Sequence, residues 1–141
     1  MRRSRDGATL VELVVTVAIV AAVLAIALPP LHDLRDRASV RAATADLSMV
    51  LATARHSAVL QGRIVAARFD TARVAVTLVA DTATLAVHRL GVHGVTLSAT
   101  RDSIAYGPTG LGYGASTTTI HLRRGRAVDT ITVSRLGRVR H

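Results

Sequence analysis

Gly7-Ala8-Thr9-Leu10-Val11-Glu12-Leu13-Val14-Val15-Thr16 opens the stretch of sequence on which the fold turns, and no further charge follows Glu12 until past Leu28. From Ala8 to Leu28 the polar residues are Thr9, Glu12 and Thr16. As an α-helix those residues span roughly 31 Å, about the thickness of a bilayer's hydrocarbon layer. Ahead of them Met1 to Gly7 read MRRSRDG, a short basic stretch closed by glycine. Behind them stand Pro29 and Pro30, where a helix kinks or loses a backbone hydrogen bond.

Working outward, the pattern from Leu31 to Gln61 is that of an amphipathic helix. Leu47, Val50, Leu51, Ala54 and Ala58 recur at three- and four-residue steps and form one apolar stripe, with Arg35, Arg37, Arg41, Asp46 and Arg55 mostly off it. Gly62 is placed to end this helix in a left-handed conformation. Beyond it the period becomes two. Strands are expected at Ile64–Phe69, Arg73–Val79, Thr84–Arg89, Val95–Thr100, Ser103–Tyr106, Thr117–Leu122 and Val128–Ser134, with a short extension at Arg138–Arg140. Turns are expected at Asp70-Thr-Ala, Gly91 to Gly94, Arg101-Asp102 and Arg123-Arg124-Gly125. Many short strands in close succession argue for antiparallel sheet, with the one-sided half of the helix covering a face of it, hence an α+β fold.

The first 30 residues admit three readings: a secretory signal peptide with Ala25-Ile26-Ala27 as its cleavage site, a plain membrane anchor, and a leader cut after Gly7 that leaves the apolar helix attached. Glu12 discriminates. A carboxylate at the centre of a membrane helix costs about 2.5–3.5 kcal/mol, and less near its end. Neither a signal peptide nor a simple anchor has a use for it. If the chain is cut after Gly7, Ala8 carries the new α-amino group one turn away. Glu12 of one subunit can then neutralise the amine of a neighbour, so that two costly charges answer each other and set the register between helices.

Gly7-Ala8-Thr9-Leu10-Val11-Glu12-Leu13 resembles the class III signal of type IV pilins and type II secretion pseudopilins. The glycine before the cut, the glutamate five residues after it and the apolar run all match, as does the position of Pro29. Ala8 departs from the phenylalanine usual in the family, which changes packing at the helix tip rather than the cut. The resemblance implies a pilin-like fold, cleavage between Gly7 and Ala8 by a prepilin peptidase, N-methylation of Ala8, and filament assembly through Glu12 and Pro29. Arg2, Arg3 and Arg5 before the segment tie with Arg35, Arg37 and Arg41 after it, so loop charge does not orient it. The resemblance places residues 1–7 in the cytoplasm as a leader and residues 8–30 in the inner membrane as the assembly helix. Residues 31–141 then form a periplasmic domain outside that membrane.

The chain ends in a second pattern. Its final 19 residues contain Arg123, Arg124, Arg126, Arg135, Arg138 and Arg140, against Asp129 as the lone acid. Ile131 and Val133 fall on the buried face of a strand, Gly137 allows a turn or bulge, and in extended chain Arg138 and Arg140 share a face with Val139 opposite. Gly137-Arg138-Val139-Arg140 resembles the Gly-Arg-x-Arg ending of the GspH/FimT family of minor pseudopilins and minor pilins. In its FimT-type members, which serve natural transformation, the two arginines contact DNA. The resemblance implies DNA contact by Arg138 and Arg140, with Arg135 a neighbour of the same charge. Against this stands a structural or protein-contacting tail. Contact with DNA would be mainly to phosphate, with a salt slope of about −0.9 per phosphate neutralised.

Composition narrows the function classes. Half the residues are hydrophobic, but Phe69, Tyr106 and Tyr113 are the only aromatics, so stacking on single-stranded bases is poorly supplied. Cysteine is absent, which removes disulfides and thiolate ligation. The net charge is +9 and every basic residue is arginine, either a coding bias or a choice of the planar fork that suits phosphate and carboxylate. Gly107 to Gly114 hold four glycines without the Gly-Lys-Ser/Thr ending of a phosphate loop, and are expected to form a mobile loop. His88, His93 and His121 fit no metal spacing, and the Ser57–His56 pair diverges on a helix. No catalysis and no cofactor are expected. The reading is an H-like minor pseudopilin of the type II secretion system. Its partners are the prepilin peptidase, other pseudopilins or pilins, and the inner membrane. The alternative is a FimT-type minor pilin that binds DNA during uptake, and the outsider is a secreted domain freed by signal peptidase.

Overall fold

The computed structural model describes residues 9–114 and 117–140, with the side chains of 27–30 left aside. One helix, α1 (Leu10–Gln61), precedes nine strands. The chain divides into two compact units, the first ending at Leu34 and the second starting at Arg35.

In the second unit, α1 buries Val40, Ala43, Leu47, Val50, Leu51, Ala54 and Ala58, at most 3 % exposed. Their three- and four-residue steps carry the expected stripe two turns further toward the N-terminus. Small residues at 43, 54 and 58 leave room for the strands beneath. The helix ends as Gly62 predicts. Gly62 lies at φ +62°, its amide donates to the Val59 carbonyl (3.3 Å), and the Arg63 amide reaches back to the Ala58 carbonyl (3.3 Å). That pair of bonds satisfies two carbonyls the helix would otherwise leave open.

The strands are β1 (Val65–Asp70), β2 (Ala75–Ala80), β3 (Ala83–Arg89), β4 (Thr96–Ala99), β5 (Ser103–Tyr106), β6 (Gly112–Tyr113), β7 (Thr118–Arg124), β8 (Ala127–Val133) and β9 (Val139–Arg140). All seven expected strands are present, together with the short C-terminal one. Among the described residues they form two antiparallel sheets rather than one, ordered β3-β2-β1-β5-β6 and β4-β7-β8-β9. The switch comes where a turn was expected from Gly91 to Gly94, formed as a 3-10 helix over Leu90–His93, after which β4 pairs with β7 instead of β3. Alternation within a strand says which residues face inward; it does not say which strand lies alongside.

Gly107 to Gly114 also differ from expectation. The Gly107 amide donates to the Leu111 carbonyl (2.9 Å), the Gly110 amide to the Gly107 carbonyl (2.9 Å), and Gly112–Tyr113 pair with Tyr106 and Ala105. The glycines build a closed turn into β6, not an open loop.

One core serves both sheets and the helix: Leu47, Leu51, Leu78, Leu90, Ile104, Tyr106, Ile120, Leu122, Ile131 and Val133 are all at most 2 % exposed. Each large aliphatic side chain so buried contributes about 1.5–3 kcal/mol. Arg124 clasps the edge of this core. Its Nε donates to Asp36 Oδ1 (2.9 Å), and its Nη1 donates to Ser39 Oγ (3.0 Å) and the His93 carbonyl (2.5 Å). The β7–β8 turn, the helix and the 3-10 turn are thereby joined through one guanidinium.

Candidate functional sites: an uncovered apolar helix and a C-terminal arginine hairpin

The first unit holds one helix segment, and every described side chain from Thr9 to Ile26 is exposed. Leu10 is 80 % and Ile26 79 % exposed, figures that would be untenable in water for a run this long. The segment is long and apolar enough to cross a membrane. Gly7 and Ala8, the expected cleavage and methylation positions, lie outside the described residues. At Pro29 the helical backbone continues unbroken; its side chain is not described.

Thr9 and Glu12 begin the helix together. The Glu12 amide donates to Thr9 Oγ1 (3.3 Å), and the Leu13 amide to the Thr9 carbonyl (3.1 Å). Thr9-x-x-Glu12 is the sequence of a capping box, and its Thr9 half is formed, the threonine oxygen accepting the Glu12 amide, a local role for Thr9 that the sequence reading missed. The first-turn position also sets the carboxylate against the positive end of the helix dipole, worth about 0.3–1 kcal/mol. Capping occupies the Thr9 oxygen and leaves the Glu12 carboxylate exposed, with no ion pair among the described residues. The Thr16 hydroxyl donates to the Glu12 carbonyl (2.7 Å), so it carries no unmet hydrogen bond into an apolar surrounding.

The C-terminal residues form a hairpin. The Ser134 amide donates to the Arg138 carbonyl (2.9 Å) and the Gly137 amide to the Ser134 carbonyl (2.8 Å), enclosing a three-residue loop, Arg135-Leu136-Gly137, between β8 and β9. This loop length places a left-handed residue last. Gly137 takes that position at φ +72°, and a Cβ there would stand 3.1 Å from Tyr106 Cε1 and 3.2 Å from the Gly110 carbonyl. Gly137 is buried. The glycine of Gly-Arg-x-Arg is therefore a packing residue of the hairpin. In β9 Val139 pairs with Val133 and is half-buried, while Arg138 and Arg140 are exposed on either side of it. Arg135, Arg138 and Arg140 make no side-chain hydrogen bond or ion pair among the described residues. The strand and loop hold them on one edge of the second sheet, free to meet anions.

Beneath this hairpin, Tyr106 is 1 % exposed and its hydroxyl has no partner among the described residues. Burial pushes its pKa up to about 12, the positive charge of Arg55 acting the other way. Of His88, His93 and His121, His93 pairs with Asp46 (2.7 Å) and His121 with Thr130 Oγ1 (2.9 Å), while His88 lies in β3, in the other sheet from His121.

The prokaryotic N-terminal methylation motif matches residues 2–28. The family described as type II transport protein GspH matches residues 43–137. No curated protein matches the chain closely enough in sequence to count as a relative. Among solved structures, the type IV minor pilin FimU of Pseudomonas aeruginosa strain PAO1 is similar, with a TM-score of 0.63 at 17 % identity over 74 % of this chain and 88 % of that one. A second crystal form of FimU gives a TM-score of 0.59 at 17 % identity, over 71 % of this chain and 90 % of its own. These likenesses show the fold: a long N-terminal helix packed on antiparallel sheet, of the pilin kind. Family and fold are those of structural, non-catalytic subunits, and the methylation motif implies processing by a prepilin peptidase and assembly with other pilins. Because that motif precedes a domain matching GspH over most of the remaining chain, the protein belongs to the GspH family and is a minor pseudopilin or minor pilin.

Proposed function

We propose that this chain is an H-like minor pseudopilin of a type II secretion system, cut between Gly7 and Ala8, N-methylated at Ala8 and lifted from the inner membrane into a short pseudopilus. The observation that carries the reading is the uncovered apolar helix with Glu12 in its first turn, ahead of a separately packed α+β unit. In this mechanism lipid covers the helix before assembly and neighbouring helices cover it afterwards. Glu12 answers the terminal ammonium of an adjacent subunit, which removes two charges from a medium that solvates neither. Pro29 marks the point where the assembly segment gives way to the domain. Residues 1–7 are the leader, 8–30 the assembly segment and 31–141 the domain outside the membrane.

A second reading has one specific observation in its favour. Arg135, Arg138 and Arg140 are exposed on a rigid hairpin without acidic partners, the arrangement that phosphate backbones require. On that reading the chain is a FimT-type minor pilin that takes up DNA. Assembly tests the first reading. Glu12→Ala subunits should enter filaments far less than unaltered ones, and Glu12→Asp should restore part of the loss; equal incorporation of Glu12→Ala would leave the pairing without a role. A gel shift with the full chain in uncharged detergent tests the second. Arg138→Ala/Arg140→Ala should lose duplex binding, and undiminished binding would remove the tail from it.

A further inference from the structure

The second unit contains a cleft that neither reading uses. It has a volume of about 470 Å³ and is lined by Arg37, Val40, Arg41, Arg126, Ala127, Val128 and Asp129. Arg37 and Arg41 stand one turn apart on α1, so their side chains lie on the same face of it. Arg126 comes from the two-residue turn between β7 and β8. That turn is fixed by Gly125 at φ +54° and by the neighbouring Arg124 clasp on Asp36. Three arginines from two elements therefore line one concavity.

Their charges are not answered from within. Arg37, Arg41 and Arg126 are all exposed and make no hydrogen bond or ion pair among the described residues. Asp129 is the one acid in the lining, and its Oδ1 takes the Thr130 amide (2.9 Å). The cleft thus holds two positive charges more than it neutralises. Like charges held together cost energy unless an anion joins them, and nothing in the packing requires these three to converge. The core contact here is made by Val40, at 2 % exposure, and needs no arginine beside it.

We infer that this cleft is a binding site for a phosphate-bearing anion. The planar forks of arginine present paired N–H donors that match phosphate oxygens, and three of them around one concavity can take all the free oxygens of a phosphodiester. One source of that group is close at hand. Arg37 follows Leu28, the last residue of the apolar run, by nine residues, so the chain cannot carry it more than about 30 Å from the end of that run. A membrane-anchored subunit thereby keeps the cleft within reach of lipid headgroups. A headgroup held there would tie the domain to the bilayer surface until assembly. Free phosphate is the other source of the same chemistry. The site is distinct from the C-terminal hairpin and does not depend on the choice between secretion and DNA uptake.

Calorimetric titration of the full chain in uncharged maltoside micelles tests the assignment, with short-chain phosphatidylglycerol, phosphatidylcholine, inorganic phosphate and duplex DNA as titrants. Arg37→Gln/Arg41→Gln/Arg126→Gln removes the cleft charge, and Arg135→Gln/Arg138→Gln/Arg140→Gln removes an equal charge elsewhere. At about fivefold per arginine, the cleft variant should bind phosphatidylglycerol on the order of a hundredfold more weakly, while the tail variant changes little. Arg126→Gln alone, at an exposed turn, should lose about fivefold without altering thermal unfolding. Cleft-dependent binding of inorganic phosphate, with phosphatidylglycerol no better than phosphatidylcholine, keeps the site and names the free anion as its ligand. Equal losses in the two triple variants, no saturable binding of phosphatidylglycerol or inorganic phosphate, or cleft-dependent binding of DNA alone would overturn the proposal.

Discussion

Replacing Gly137 by alanine tests whether the glycine of the Gly-Arg-x-Arg ending is a packing residue. The structure allows the cost to be worked in two parts. A non-glycine residue held at φ +72° pays about 1–2 kcal/mol for the left-handed conformation. The new methyl group would also stand 3.1 Å from the Tyr106 ring and 3.2 Å from the Gly110 carbonyl. The ring is fixed in the core and the carbonyl is backbone, so neither yields cheaply, and crowding of this kind adds about 1–3 kcal/mol. The total is about 2–5 kcal/mol. At about 4–8 °C per kcal/mol for a domain near 100 residues, the melting midpoint should fall by roughly 10–40 °C. Gly62→Ala is the internal control, since Gly62 has nearly the same φ, +62°, with nothing within 4 Å of the added carbon. It should cost about 1–2 kcal/mol, for the conformation alone. Thermal unfolding followed by circular dichroism on the full chain, in uncharged detergent, reads both. A Gly137→Ala loss no larger than that of Gly62→Ala would refute the packing argument. In the same assay Arg138→Ala/Arg140→Ala should stay within about 0.5 kcal/mol of the unaltered chain, because both side chains are exposed and unbonded.

Two more predictions follow from the interior. The raised pKa of Tyr106 means that the folded state keeps its proton where the unfolded chain has already lost it. Its contribution is complete below pH 10, falls as pH rises above that, and is gone by about pH 12, a loss of up to about 3 kcal/mol. Tyr106→Phe should abolish this alkaline slope and, by removing a buried unpartnered hydroxyl, should raise stability at neutral pH by about 1 kcal/mol; denaturant unfolding at several pH values checks both. Arg124→Ala should cost about 2 kcal/mol, because it leaves Asp36, 24 % exposed, without its cation. A double-mutant cycle with Asp36→Ala should then show strong non-additivity, whereas simple additivity would mean that the clasp does not couple the helix to the β7–β8 turn.

Much of this was legible in the residues, and the reasons are physical. The helix stripe from Leu47 to Ala58, the Gly62 cap and the strand segments all follow from local periodicity and from backbone preferences that act over a few residues. The division into two sheets was not legible, because it depends on β4 choosing β7 over β3, a choice made by packing across long sequence separations. Arg124 gave no sign of its clasp, being one arginine in a basic run whose partners, Asp36 and Ser39, lie far back on the helix. The convergence of Arg37 and Arg41 with Arg126 was hidden in the same way. Thr9 did carry a signal: Thr-x-x-Glu is a capping pattern, overshadowed by the larger question of a charge in an apolar run. Gly137 was legible as a turn or bulge, but its close approach to Tyr106 and Gly110 was not, because those residues lie far back in the sequence.

The mass and N-terminal sequence of the processed chain, isolated from its native membrane, bear most directly on the claim that the apolar helix is retained to assemble with its like. The account predicts a chain that begins at Ala8, heavier by one methyl group on its amine, with Glu12 still one turn away. A chain that begins at Leu28 would have shed the helix and the carboxylate together, and no filament could be built on them.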